Sequence, residues 1–179
     1  MTERMQATSK FVTVNDLNVH YLEWGKAEMP AVVCVHGYTS SAQAFNALAR
    51  HLQDRFHVIA MDVRGHGESS WLPTGAYEYV DQASDLAAFV DRLELSRFAL
   101  IGTSMGGIIA MTYAADHAER LTALVINDIG PDVEAGSNRI TGMIGPRPDA
   151  FVTFEAAVAY RREISPITAA RPVEDQFWV

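Results

Sequence analysis

Ser104 stands in Gly102-Thr103-Ser104-Met105-Gly106-Gly107, between the apolar runs Phe98–Ile101 and Ile108–Met111. A serine bracketed by glycines at a strand-to-helix corner is a nucleophile arrangement. The turn is too tight for side chains on either flank, and the hydroxyl is left exposed at its tip. A serine that merely caps the following helix would not require Gly102, Gly106 and Gly107 together. A serine hydroxyl attacks poorly unless a base takes its proton, and histidine is the usual base. The six histidines, His20, His36, His51, His57, His66 and His117, all lie before residue 118. The serine is therefore expected to draw on a base that is not in this chain.

Acyl chemistry at a serine also needs two N–H donors aimed at one point, where a carbonyl oxygen becomes an oxyanion. Met105 N–H, immediately after the nucleophile, is one candidate. Tyr38 N–H is the other: it lies in His36-Gly37-Tyr38-Thr39-Ser40-Ser41, after the apolar run Ala31–Val35, where Gly37 lets the backbone swing inward. His36 reads either as a catalytic base or as a structural histidine bonded to this loop, and the second reading is favoured. Asp62-Val63-Arg64-Gly65-His66-Gly67-Glu68-Ser69 marks a sharp turn, which Arg64 and His66 are expected to hold rather than react from. No H-x-x-x-H pair or carboxylate-rich loop suggests a metal.

These residues need elements to position them. Phe11–Val14 and Leu17–Trp24 read as an antiparallel hairpin around Asn15-Asp16. Ala31–Val35, Phe56–Met61, Phe98–Ile101 and Leu121–Ile126 read as strands. Phe45, Leu48, Ala49 and Leu52, then Leu86, Phe89, Val90 and Leu93, recur at helical spacing, and Met105–Ala115 reads as a further helix. Strands alternating with helices predict parallel β-α-β units in a three-layer α/β domain. After Pro131, glycines and prolines from Gly136 to Pro172 break the chain into short pieces. Phe154–Glu163, with Thr153 as N-cap, is the best helix there, and Pro172–Val179 reads as the start of another.

Composition bounds the reading. The chain has 179 residues, 49% apolar and 20% charged, with a net charge of −8. That is a one-domain length with an ordinary globular composition. The acidic balance, without a basic cluster, argues against nucleic-acid binding. Phe98–Ala115 carries no charge over 18 residues, but its three glycines, one serine and two threonines fit a strand and a buried helix better than a membrane span. The single cysteine, Cys34, reads as an inert core thiol, and with no apolar leader at the N-terminus the location reads as cytoplasmic.

Val35-His36-Gly37, Asp62–Ser69 and Gly102–Gly107, in this order and spacing, resemble the α/β-hydrolase superfamily, over about Leu17 to Pro131. The nearest resemblance is to its small esterase, enol-lactonase and C–C hydrolase branch. It implies a core in residues 1–131 with the first six strands, and the beginning of a helical cap in 132–179. It also implies hydrolysis of a carboxylic ester or related acyl bond of a small molecule, with no cofactor. The family's two further strands, which bring the histidine and usually the acid, are not in this chain. Further sequence, a nicked piece or a partner chain is therefore expected to cover the sixth strand's edge. Thr39-Ser40 stands where C–C hydrolases usually carry Gly-Pro, and Ser104 replaces the aspartate of dehalogenases and epoxide hydrolases. Asp128, 24 residues after Ser104, is either the acid, as in some relatives, or a shaping residue at the exit of the sixth strand. Met143, Phe151, Phe154 and Trp178 line an apolar substrate pocket in this reading, or else pack a cap onto the core. A rival class is a ligand-binding or interaction protein on the same fold, without turnover.

Overall fold

The computed structural model describes residues 6–73, 75–130, 148 and 150–164. Contacts divide the chain into two units, Met1–Pro131 and Asp132–Val179. In the first, six strands form one sheet: β1 (Thr8–Val14), β2 (Leu17–Trp24), β3 (Ala31–Val35), β4 (His57–Met61), β5 (Phe98–Thr103) and β6 (Leu121–Asn127). Their spatial order is β1-β2-β4-β3-β5-β6. β1 and β2 pair antiparallel through a turn in which Asn15 and Asp16 take φ of 47° and 62°. Those left-handed values suit the twist of a tight hairpin, and Asn and Asp tolerate them. β2 runs antiparallel to β4, while β4, β3, β5 and β6 are mutually parallel.

The central strands explain the layering. Successive side chains of β3 point to opposite faces. Val33 and Val35 join Ile59, Met61 and Leu100 under α2 (Tyr79–Arg92) and α3 (Met105–His117), whose Leu86, Phe89, Ile109 and Tyr113 complete that core. Val32 and Cys34 face the other way, with Val58 and Ala60, onto Phe45 and Ala49. Ala49 belongs to α1 (Asn46–Leu52), which is preceded by a short 3-10 turn at Ala42–Phe45. Each fully buried side chain of the size of Phe89 contributes about 2–3 kcal/mol through apolar burial. The uncharged stretch from Phe98 divides into β5 and α3, and no helix among the described residues is long and apolar enough to cross a membrane.

β6 lies at the end of the sheet order and differs from its neighbours. Leu124 and Val125 are 40% and 47% exposed. In the second unit, α4 (Phe154–Ile164) begins where Thr153 Oγ1 accepts the Ala156 N–H at 3.2 Å, so Thr153 does cap it. Met143, Trp178 and the helix start expected at Pro172 lie outside the described residues.

Candidate active site

Ser104 is the hinge between β5 and α3, at φ 52° and ψ −117°. Those angles fall outside the regions an L-residue ordinarily occupies, and holding a non-glycine residue there costs about 1–3 kcal/mol. The surrounding glycines show what enforces the corner. A Cβ on Gly102 would fall against the Gly106 carbonyl, one on Gly106 against the Val35 and His36 carbonyls, and one on Gly107 against Ile129. β5, α3 and the end of β3 therefore meet backbone to backbone. The Ser104 hydroxyl makes no capping bond to α3; the Ser104 carbonyl instead accepts from Gly107 N–H at 2.8 Å.

The loop after β3 comes up against this corner. A Cβ on Gly37 would lie 3.2 Å from Ser104 Cβ and 3.9 Å from its Oγ. Tyr38 follows with its side chain 48% exposed, and Thr39 takes φ 61°. Met105 opens α3, where the first N–H groups of a helix have no intrahelical acceptor. Neither the Tyr38 nor the Met105 amide enters a hydrogen bond among the described residues.

The turn after β4 supports that loop. Asp62 Oδ1 accepts the Ala42 N–H at 2.6 Å; its Oδ2 accepts Glu68 N–H at 3.0 Å and faces His20 Nδ1 at 2.7 Å. Gly67, at φ 52°, leaves room for this carboxylate, because a Cβ there would overlap it. Arg64 Nε donates to Asp85 Oδ2 on α2 at 2.5 Å, and its other nitrogens reach the carbonyls of Ala76 and Asp81. Arg64 thus holds the turn, as expected. Asp62 and His20 are 42 residues apart, and no local pattern in the sequence links β2 to the end of β4.

Each histidine has a place. His36 is fully buried; its Nδ1 donates to the Gly37 carbonyl at 2.8 Å and its Nε2 accepts the Val63 N–H at 3.1 Å. That pairing fixes a neutral ring protonated on Nδ1. Burial pushes its pKa down to about 4, the bond to Gly37 opposing this in part. The structural reading of His36 is the one its partners support. His20 is engaged by Asp62 and Ser9, His57 by Glu23, His51 by the Ala47 carbonyl, and His117 stacks on Tyr113. His66 bonds the Arg64 carbonyl at 3.1 Å and packs between His36 and Tyr38, with ring centroids 5.2 and 5.9 Å away. Among the described residues, no carboxylate pairs with it to orient it as a base.

Asp128 follows the last residue of β6, exposed and at φ 60°. Phe151 and Phe154 belong to the second unit, where Phe151 stacks on Tyr160 at 5.2 Å.

A family described as the alpha/beta hydrolase fold matches residues 30–177. The chain belongs to the α/β-hydrolase family. A 3-hydroxybutyrate-oligomer hydrolase of Cupriavidus necator is 35% identical over 147 residues, 81% of this chain and 50% of that protein. An sn-1-specific diacylglycerol lipase of Mus musculus is 38% identical over 154 residues, 85% of this chain and 47% of that protein. Among solved structures, an α/β hydrolase from Novosphingobium aromaticivorans superimposes with a TM-score of 0.81 at 30% identity, covering 96% of this chain and 61% of that one. The chain thus spans about half the length of the curated relatives it matches. In this α/β hydrolase the loops after β3, β4 and β5 all lie at the C-terminal ends of parallel strands, where open α/β sheets carry their sites.

Proposed function

We propose that this protein is a serine hydrolase that cleaves a carboxylic ester, or a related acyl bond, of a small molecule through an acyl-enzyme. One observation carries the reading. Ser104 is held at a strained corner with Gly37 packed close to its side chain, and the amides that follow Gly37 and Ser104 in the chain, those of Tyr38 and Met105, enter no hydrogen bond among the described residues. Ser104 Oγ attacks the acyl carbonyl as a base takes its proton, and the two amides receive the charge on the carbonyl oxygen. The alcohol departs with the proton, and water then repeats the sequence to release the acid. The similarity to hydrolases of hydroxybutyrate oligomers and of diacylglycerol supports an ester as the bond cleaved.

Every histidine of the chain is engaged elsewhere or lacks an acid partner among the described residues, so the base is proposed to come from outside residues 1–179. The acid that orients it is either Asp128 or a carboxylate outside the chain. Met143, Phe151, Phe154 and Trp178 are proposed to line the substrate pocket. The absence of a free histidine also favours a second reading, a ligand-binding protein on this fold without turnover. A fluorophosphonate probe separates the two, because only an activated serine is labelled quickly. In the full-length protein, Ser104→Ala is expected to abolish labelling and lower ester turnover by about 10³-fold or more. Near-normal turnover by that variant would remove Ser104 as nucleophile.

A further inference from the structure

Tyr38 N–H and the Gly37 carbonyl belong to one peptide unit. In a trans peptide the two groups point in opposite directions, so whatever holds the carbonyl also aims the amide. Gly37 has no Cβ, and its backbone restricts the rotation of this plane less than any other residue would. The carbonyl is held by His36 Nδ1 at 2.8 Å, and the same ring is pinned from its far side by Val63 N–H at 3.1 Å. The other end of the loop is tied to the same turn, where Asp62 Oδ1 accepts Ala42 N–H at 2.6 Å. Residues 37–41 are therefore bracketed by two side-chain bonds, and the one at the His36 end grips the peptide that carries the oxyanion donor.

We infer that His36 is a positioning residue for the hydrolytic reaction: it fixes the rotation of the Gly37–Tyr38 peptide so that the Tyr38 N–H faces the space in front of Ser104. The inference rests on the ester-hydrolase reading above. It assigns His36 neither proton transfer nor contact with substrate. A neutral ring is required, since Nδ1 must donate to Gly37 while Nε2 accepts from Val63. The groups facing it are Asp62, 4.0 Å from Nε2, and the His66 ring. Burial keeps His36 neutral well below neutral pH.

The test is a double-mutant cycle on the full-length enzyme. Tyr38→Pro removes the N–H itself and should lower kcat by about 10²-fold or more, whereas Tyr38→Ala retains most activity. His36→Ala should lower kcat by about 10-fold to 10²-fold with KM within about twofold. In the Tyr38→Pro background the same substitution should cost less than about twofold more, because the group it positions is gone. His36→Asn, whose side-chain amide can still donate to Gly37, should recover most of kcat; His36→Gln, which can reach only toward Val63, should not. If His36→Ala fails to fold, His36→Gln takes its place in the cycle. Additive losses, or rescue by Gln rather than Asn, would overturn the assignment while leaving Ser104 as nucleophile. Turnover that persists in Ser104→Ala would overturn the parent reading instead. Independently of turnover, nitrogen-15 spectra should show the His36 ring neutral and protonated on Nδ1 at pH 7. A ring protonated on Nε2 would sink the clamp.

Discussion

The Ser104 amide donates to the Asn127 carbonyl across 2.8 Å. This bond continues the β5–β6 ladder beyond Thr103, which pairs with Asn127, so the strained corner is anchored to the last residue of the edge strand. Asp128 follows at once in a left-handed conformation. The nucleophile and the exit of β6 thus share an anchoring point, and a change at the exit reaches the serine through that carbonyl.

Asp128 permits stability and turnover to be read separately. Asp128→Gly removes the strain of a left-handed non-glycine residue and is expected to stabilise the protein by about 0.5–1 kcal/mol in urea denaturation. Asp128→Asn should leave stability nearly unchanged, because asparagine tolerates the same backbone. Its kcat decides the chemical role. A loss of about 10²-fold or more assigns Asp128 as the acid, and a change within a few-fold leaves it as the residue that shapes the exit.

The buried His36 makes a signed prediction about pH. Its folded pKa, about 4, lies below the ordinary 6.5, so the unfolded chain binds this proton more readily. Its stabilising contribution is complete above about pH 6.5 and is lost as pH falls toward 4, a change on the order of 3 kcal/mol. Urea midpoints at pH 7 and 4.5 should therefore converge more in His36→Gln than in the parent protein. An identical pH dependence in the two would place the proton elsewhere.

Two glycines give a contrast in packing. Gly106→Ala sets a Cβ against the carbonyls of Val35 and His36, and is expected to cost about 2–3 kcal/mol or more and to disturb the oxyanion loop. Gly75→Ala meets nothing within 4 Å and carries only the strain of φ +66°, about 1 kcal/mol. Equal losses in thermal or urea unfolding would show that the close approach at Gly106 is relieved by movement of the chain.

The edge strand makes a prediction about residues 1–179 expressed alone. Among the described residues β6 ends the sheet order, with Leu124 and Val125 exposed, and an unpaired strand edge invites pairing with another chain. This segment is expected to associate, by light scattering, and to show no serine-dependent turnover of p-nitrophenyl esters. A monodisperse monomer with turnover would return attention to His66 as a base.

How much of this was legible depended on whether the signal was local. The limits of β3 were readable because five apolar residues lie between Pro30 and His36, and a strand buried on both faces needs nothing else. The corner at Ser104 was readable because close backbone approach forces glycine. β1 begins three residues earlier than expected, at Thr8, because an edge strand carries polar residues that show no alternation. α2 starts at Tyr79, well before its apolar stripe, on a capping box in which glutamate, an uncommon cap, takes the serine's place. The bonds from Asp62 to His20 and Ala42 were not readable. They depend on which strands become neighbours, and that is a property of the assembled sheet.

Cys34 lies on β3, between β4 and β5, fully buried, and burial raises its thiol to about 12. It is the only cysteine in the chain. Thiol reagents act on the thiolate, which this position withholds at neutral pH, so the sulfur reacts only when the sheet's centre parts. The rate at which a disulfide reagent consumes this one atom is consequently a stopwatch for sheet opening. It can be read without any added label, and it stays silent about fraying at the edges.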